Sequence, residues 1–465
     1  MIMRQRKFAT VLMLALGSVL WIGGANAATD LLTAWQAAKQ HDAEFAAAVA
    51  EWHAGQTQRA QGRALLLPQV QAVGGVGQQT LDSDTTGSQF SAAGLGAPGI
   101  ADFRSSIDGG DSSRWTISAR QPLYDAERFA GYSQAQRAAE MADLKYRVAE
   151  QQLLLRVAQV YFDCVRADQR VQTVRALRLA AANARDEAQA RFTAGDAPVT
   201  DRDEAQARFD LIAAEEISAN SEWQQVRSAF IAVTGLVAED LLPVSAQQAV
   251  AIETLDVWQS RAQSHNPLIA MRRAGVDIAQ AEIDKFRWLT SPKLDLVAQV
   301  GEERLDGNGN FGAASMNNGG WAVGVQLTVP IFTGGLRSAK REEAAARAEK
   351  SQFDLDAVRA LVKRQTETAW LGVNAGAARA AALQTAQKSA ELRLQSTRTG
   401  RDVGVRTTLD QLNAEADFHH AQSSLVDARC QLLMSRLQLD ATVGALDEDS
   451  LRRVNAVLSA GDPLH

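Results

Sequence analysis

The residue types that usually carry chemistry are present in this chain, but not at the spacing that chemistry needs. Among its 465 residues there is no Walker A loop, no HExxH, no CxxC and no nucleophile elbow. Six histidines are scattered apart from His419-His420, a helical pair that reads as solvated or packed rather than as a metal site. Cys164 and Cys430 lie far apart in the chain, within helical patterns, and read as buried free thiols rather than a disulfide. The sequence therefore predicts no enzyme, no cofactor and no bound metal, and any energy for work must come from a partner. The polar residues that stand out flank two glycines: Asp196 and Asp201 follow Gly195, while Arg401, Arg406, Asp410 and Asn413 surround Gly404. Such groups can make and break ion pairs.

Those glycines belong to an internal repeat. His41 and Pro68 recur as His265 and Pro292, 224 residues later, and Gly195, Asp201 and Gly235 recur as Gly404, Asp410 and Gly444, 209 residues later. Trp115 and Pro122 recur as Trp321 and Pro330. The first copy (28–245) is expected to hold strands at 69–78 and 114–123, the second (246–450) strands at 293–301 and 320–329, with a C-terminal tail over 451–465. Alternation is the strand signal: Trp115, Ile117 and Ala119 oppose Arg114, Thr116, Ser118 and Arg120, and Trp321, Val323, Val325, Leu327 and Val329 repeat it. Residues 80–113, rich in Gly, Ser and Asp, read as an exposed turn.

Helices fill the remainder. Patterns from 126 to 194 and from 336 to 403 contain no proline, and heptads show in Val148, Leu155 and Phe162, in Leu144, Ala158 and Val165, and in Leu425, Leu432 and Leu439. Half-length helices are expected at 31–64, 201–233, 255–289 and 407–443, with a linker over 236–252. The fold class is thus mainly α with a small β part, in two structural repeats of one hairpin plus long and half-length coiled helices.

The address is a secretory signal over residues 1–27: Arg4, Arg6 and Lys7, an apolar stretch from Phe8 to Ile22, and the small-residue site Ala25-Asn26-Ala27, leaving Ala28 first. The chain's net charge of −6 becomes about −9 on cleavage, and without a basic run nucleic acid is excluded as a partner. No later segment supplies the roughly 18 apolar residues of a membrane-spanning helix. Strands of about ten residues, apolar on one face, are the length of tilted transmembrane β-strands, and four of them cannot close a barrel. Oligomerisation follows: eight strands from two chains would make a filled barrel, twelve from three a wider lumen.

With these segments in place the chain resembles the TolC family of outer-membrane channel proteins over nearly its whole mature length. Asp30-Leu31-Leu32, Leu65-Leu66-Leu67-Pro68-Gln69, Val329-Pro330-Ile331-Phe332-Thr333-Gly334-Gly335 and Val403-Gly404-Val405-Arg406-Thr407-Thr408-Leu409-Asp410 carry the resemblance. It implies a homotrimer with a twelve-stranded transmembrane β-barrel in the bacterial outer membrane, touching its lipid, and an α-helical tunnel through the periplasm. It further implies docking, through a periplasmic adaptor (membrane fusion) protein, to an inner-membrane transporter of RND, ABC or MFS type.

The resemblance also implies site residues. Asp201, Arg406 and Arg401 would lock the periplasmic tip; helix capping is the competing role for Asp201. Asp410 would project a ring of three carboxylates into the pore, with Asn413 standing where relatives often carry a second Asp. Gly195, Asp196, Val403 and Gly404 would form the adaptor-docking turns. Drug efflux and type I protein secretion fit equally, because both use one tunnel. The competing class is an exported structural or adhesive trimeric coiled coil, which would not need two amphipathic hairpins.

Overall fold

The computed structural model describes residues 29–90, 94, 99–238, 241–244 and 253–458. The expected signal segment, its expected cleavage site and parts of the expected 236–252 linker lie outside the described residues. The first copy comprises α1 (Leu31–His41), α2 (Ala43–Ala64), β1 (Gln69–Phe90), β2 (Gly99–Tyr124), α3 (Ala126–Ala194) and α4 (Val199–Thr234). The second comprises α5 (Leu255–His265), α6 (Pro267–Arg287), β3 (Lys293–Gly309), β4 (Gly312–Thr328), α7 (Leu336–Asp402) and α8 (Thr408–Thr442), followed by α9 (Glu448–Asn455). Among the described residues no helix is long and apolar enough to cross a membrane.

The long helices start and stop for local reasons. Asp125 caps α3 by accepting from the amides of Glu127 and Arg128, and the chain leaves α3 through Gly195 at φ 80°. At about 1.5 Å per residue, the 69 residues of α3 and 67 of α7 each reach roughly 100 Å. The half-length helices expected at 31–64 and 255–289 are each broken once. Asp42 ends α1 in extended backbone and caps α2 through the Phe45 amide; Asn266 does the same between α5 and α6, where Pro267 has no amide hydrogen to continue the helix. Each break packs against a left-handed glycine: a Cβ on Gly235 would lie 2.9 Å from the His41 ring, and one on Gly444 would lie 2.6 Å from the His265 carbonyl.

The strands are longer than the alternation suggested. They span 22, 26, 17 and 17 residues, and most of the expected 80–113 turn is ladder. Gly, Ser and Asp disfavour strand locally, but backbone pairing between β1 and β2 overrides that preference, with register shifts at Gln79/Leu81 and Thr85/Ser88 absorbing the irregularity. All four strands form one antiparallel sheet in the order β1-β2-β3-β4, so β1 and β4 are both edges. Register places Val70, Ala119, Ala298 and Val323 in one row and Ala72, Ile117, Val300 and Trp321 in the next, on one apolar face that is exposed apart from the half-buried Ala119 and Ala298. The other face carries Gln71, Ser118, Gln299 and the ion pair of Arg120 with buried Asp295.

Below the sheet, Lys293 at the start of β3 pairs with Glu127 at 2.8 Å and Asp125 at 3.7 Å, tying the sheet to the first turn of α3. Midway along the helices the largest core collects Leu31, Trp35, Phe45, Tyr161, Phe230, Leu437 and Leu451 from both copies. The segment from 451 is more than a tail. The expected boundary at 450 falls inside α9, whose Leu451 and Val454 are buried and whose Asn455 accepts from the Leu31 amide at 3.1 Å and donates to Asp30 at 2.7 Å. Of the heptad residues, Ala158, Phe162, Val165, Leu425, Leu432 and Leu439 are buried, while Leu144, Val148 and Leu155 are half-buried.

The candidate functional site at the helical turns

At the end of the helices far from the sheet, α3 turns into α4 and α7 into α8. Both turns are built alike. The amides of Gly195 and Asp196 donate to the carbonyls of Phe192 and Arg191, and those of Gly404 and Val405 to the carbonyls of Arg401 and Gly400. Each is a Schellman closure with its glycine in the left-handed region, at φ 80° and 78°. Asp196, Val403 and Gly404 are exposed on these turns.

The returning helices begin differently. Thr407 caps α8: its hydroxyl accepts from the Asp410 amide at 3.0 Å while the Asp410 carboxylate accepts from the Thr407 amide at 3.1 Å, a complete capping box. That backbone hydrogen bond, followed by the Thr407 hydroxyl, holds the Asp410 carboxyl below the usual carboxylate range. Pro198 occupies the matching position before α4 and offers no side-chain cap. Asp201 is therefore not the capping residue; it stands in the first turn of α4, exposed, and among the described residues its carboxylate accepts only from the Thr200 hydroxyl at 3.4 Å.

Between the two turns lies an open cleft of about 600 Å³ whose walls include Glu187, Arg191, Asp201, Arg401, Gly404 and Arg406. Asp201 and Arg406 share this cleft without an ion pair among the described residues. Arg406 lies over the last turn of α7, where a Cβ on Gly400 would meet its Cγ at 2.8 Å. Arg401 is engaged elsewhere, 3.8 Å from Glu187 on α3 and 3.7 Å from Asp402. Glu187 also accepts from the Thr408 hydroxyl at 3.1 Å, so one carboxylate links α3 to both α7 and α8. Sequence reading missed Glu187, because no spacing marks a residue whose partners lie in the other copy.

Asn413 is exposed one turn beyond Asp410. The helix pairs behind each turn are stitched by exposed ion pairs, Arg178 with Glu216 at 2.7 Å in the first copy and Arg393 with Asp417 at 2.6 Å in the second. Among the described residues no group of His, Cys, Asp or Glu could hold a metal ion. The arrangement offers reversible polar contacts at a joint between two rigid hairpins.

Comparison with known proteins gives the context of this joint. The family model described as "Outer membrane efflux protein" matches residues 34–236 and 258–445. The alkaline protease secretion protein AprF of Pseudomonas aeruginosa is 30% identical over 440 residues, 94% of this chain and 88% of that protein. The outer membrane protein TolC of Vibrio cholerae is 27% identical over 456 residues, 97% of each. In fold, the crystal structure of the outer membrane protein VceC from Vibrio cholerae superposes with a TM-score of 0.68 at 18% identity, covering 90% of this chain and 97% of that one. The chain belongs to the outer membrane efflux protein family, as an outer-membrane protein of the TolC type.

Proposed function

We propose that three copies close a twelve-stranded barrel in the outer membrane and continue as a helical tunnel, forming the exit duct of a tripartite efflux pump or type I secretion system. The observation that carries this reading is the sheet: four strands with an apolar, exposed face and two unpaired edges. In lipid an open edge leaves backbone groups unsatisfied at several kcal/mol each, so β1 must pair with β4 of a neighbouring copy until the sheet closes. The polar face then lines the lumen. The helical tip reaches toward an inner-membrane transporter of RND, ABC or MFS type, and the turns at Gly195, Asp196, Val403 and Gly404 meet the adaptor.

The duct is gated at the cleft between the two turns. Arg401 restrains the tip through Glu187, and Asp201 and Arg406, opposite in charge and without an ion partner within the chain's described residues, supply the remaining closing contacts. Such exposed pairs contribute about 1 kcal/mol or less each, a scale at which a partner can break them. Asp410 forms the pore carboxylate ring, with Asn413 in place of a second one. Protein secretion is the cargo favoured by one observation, the 30% identity with an alkaline protease secretion protein.

Planar-bilayer recording with mass determination on the detergent-extracted protein tests the duct. The expected result is a trimer giving small, cation-selective openings blocked by a trivalent cation. A monomer without pore activity would overturn the reading.

A further inference from the structure

The two copies differ where helix meets sheet. At the end of α6 and the start of α7, Lys285 and Lys340 place their ammonium groups 5.8 and 6.0 Å from the centre of the Phe286 ring. Arg287 lies 5.6 Å over Trp288, and Arg337 donates to the Arg287 carbonyl at 3.1 Å, so the cations form one patch around two aromatic rings. Lys340 is paired with Glu343 at 2.8 Å. Lys285, Arg287, Arg337 and Arg341 have no ion pair among the described residues, although Asp284 and Glu342 are close in sequence. Beside them Ile331 and Phe332, just past β4, are 96% and 88% exposed.

The first copy keeps only part of this patch. Arg63 stands 224 residues before Arg287, but Gln61, Gly62 and Ala64 stand where the second copy has Lys285, Phe286 and Trp288, and the start of α3 carries Asp125 and Glu127, which occupy Arg128 and Lys293. Repeat geometry alone therefore does not require Lys285 or the two aromatic rings.

We propose that this patch binds the headgroups of anionic phospholipid in the leaflet facing the periplasm. The inference rests on the barrel reading, which puts the helix–sheet junction at that membrane surface. Three features select this occupant. The patch continues from the apolar sheet face through Leu327 and Ile331. Aromatic rings favour the interface, where one side is apolar and the other wet. Cations without acidic partners complement phosphate, and basic residues near an anionic surface each add to its attraction.

The test compares retained lipid by native mass spectrometry after release from nanodiscs holding equal phosphatidylglycerol and phosphatidylcholine. The protein should retain phosphatidylglycerol in preference by roughly tenfold or more, and that preference should weaken in about 0.5 M salt. The combined variant Lys285→Gln, Arg287→Gln, Arg337→Gln and Arg341→Gln should lose the preference, whereas Arg63→Gln at the equivalent place in the first copy should keep it. Equal retention of the two lipids by the unaltered protein, or undiminished preference in the combined variant, would overturn the proposal. So would dissociation of the oligomer in that variant with no lipid preference in the parent, because the patch would then face a second copy. The salt titration uses only the unaltered protein, so the answer does not depend on the variant folding. Conductance and mass of the same sample report separately on the barrel reading.

Discussion

The turn between α3 and α4 and the turn between α7 and α8 share a backbone closure and differ in what holds the carboxylate after it. Asp201 and Asp410 are equivalent by the 209-residue repeat, and both lie in the first turn of a returning helix. Thr407 engages Asp410 in a capping box; Pro198 leaves Asp201 available. A fixed carboxylate suits a constant charge in a pore, and an available one suits a contact that must form and break. The two turns thus share their geometry while a single exchange, Thr for Pro, sets the two acids in different hydrogen-bonding surroundings.

The largest expected effect comes from the residue that spans the two turns. Glu187→Ala removes the Arg401 pair and the acceptor for Thr408, a loss of about 1–2 kcal/mol per tip. The open fraction in bilayer recordings should rise roughly 5–30-fold. An unchanged open fraction would mean that the link between turns does not restrain the gate. Next in size is Pro198→Thr, which gives Asp201 the partner that Asp410 has. A completed cap should add about 1 kcal/mol to the start of α4 and raise hydrogen-exchange protection at residues 200–202 roughly fivefold. In that background Asp201→Asn should no longer alter gating. If it alters gating as before, the distinction between fixed and available carboxylates is wrong.

Asp410 sharpens the comparison through pH. Its carboxyl is held below the ordinary value of 3.8, so the folded state favours the charged form. The sign follows: its contribution to the start of α8 is complete above about pH 4, the unfolded value, and is lost only as pH falls through the lowered one. Cation selectivity carried by the ring should therefore survive titration to about pH 4 and fall toward none in Asp410→Asn at any pH. Unchanged selectivity in that variant would remove Asp410 from the pore.

How much of this was legible in the sequence depends on range. The long helices were, because 3.5-residue periodicity without proline is a local signal, and the glycines that end them mark a left-handed turn that few other residues accept. The helix break at Asp42 was hidden, since one capping residue inside an apolar pattern looks like an ordinary polar position, whereas the break at Asn266 carried a local signal in Pro267 that the 255–289 helix passed over. Most of the 80–113 segment read as a turn because its strand character comes from pairing across β1 and β2, a non-local term that composition opposes. At the cleft, Arg401, Arg406 and Asp201 were singled out through the resemblance and line its walls, whereas Glu187 depends on α3 packing beside the second copy, which only the assembled chain reveals.

That packing also gives the smallest predicted effect. Cys164 lies on α3 and Cys430 on α8, one from each copy, and both are buried as free thiols in the core that joins them. Burial pushes both thiols up to about 12, so each stays protonated, and unreactive, at neutral and mildly alkaline pH. Iodoacetamide at pH 8 should label neither in the folded protein and both after denaturation, counted by mass. Glu187→Ala should leave this protection intact, because opening at the turns pivots the hairpins without parting the core near Tyr161 and Leu437. Labelling of Cys430 in that variant would mean that the two copies separate along their length, and that the turns and the mid-helix core move as one body.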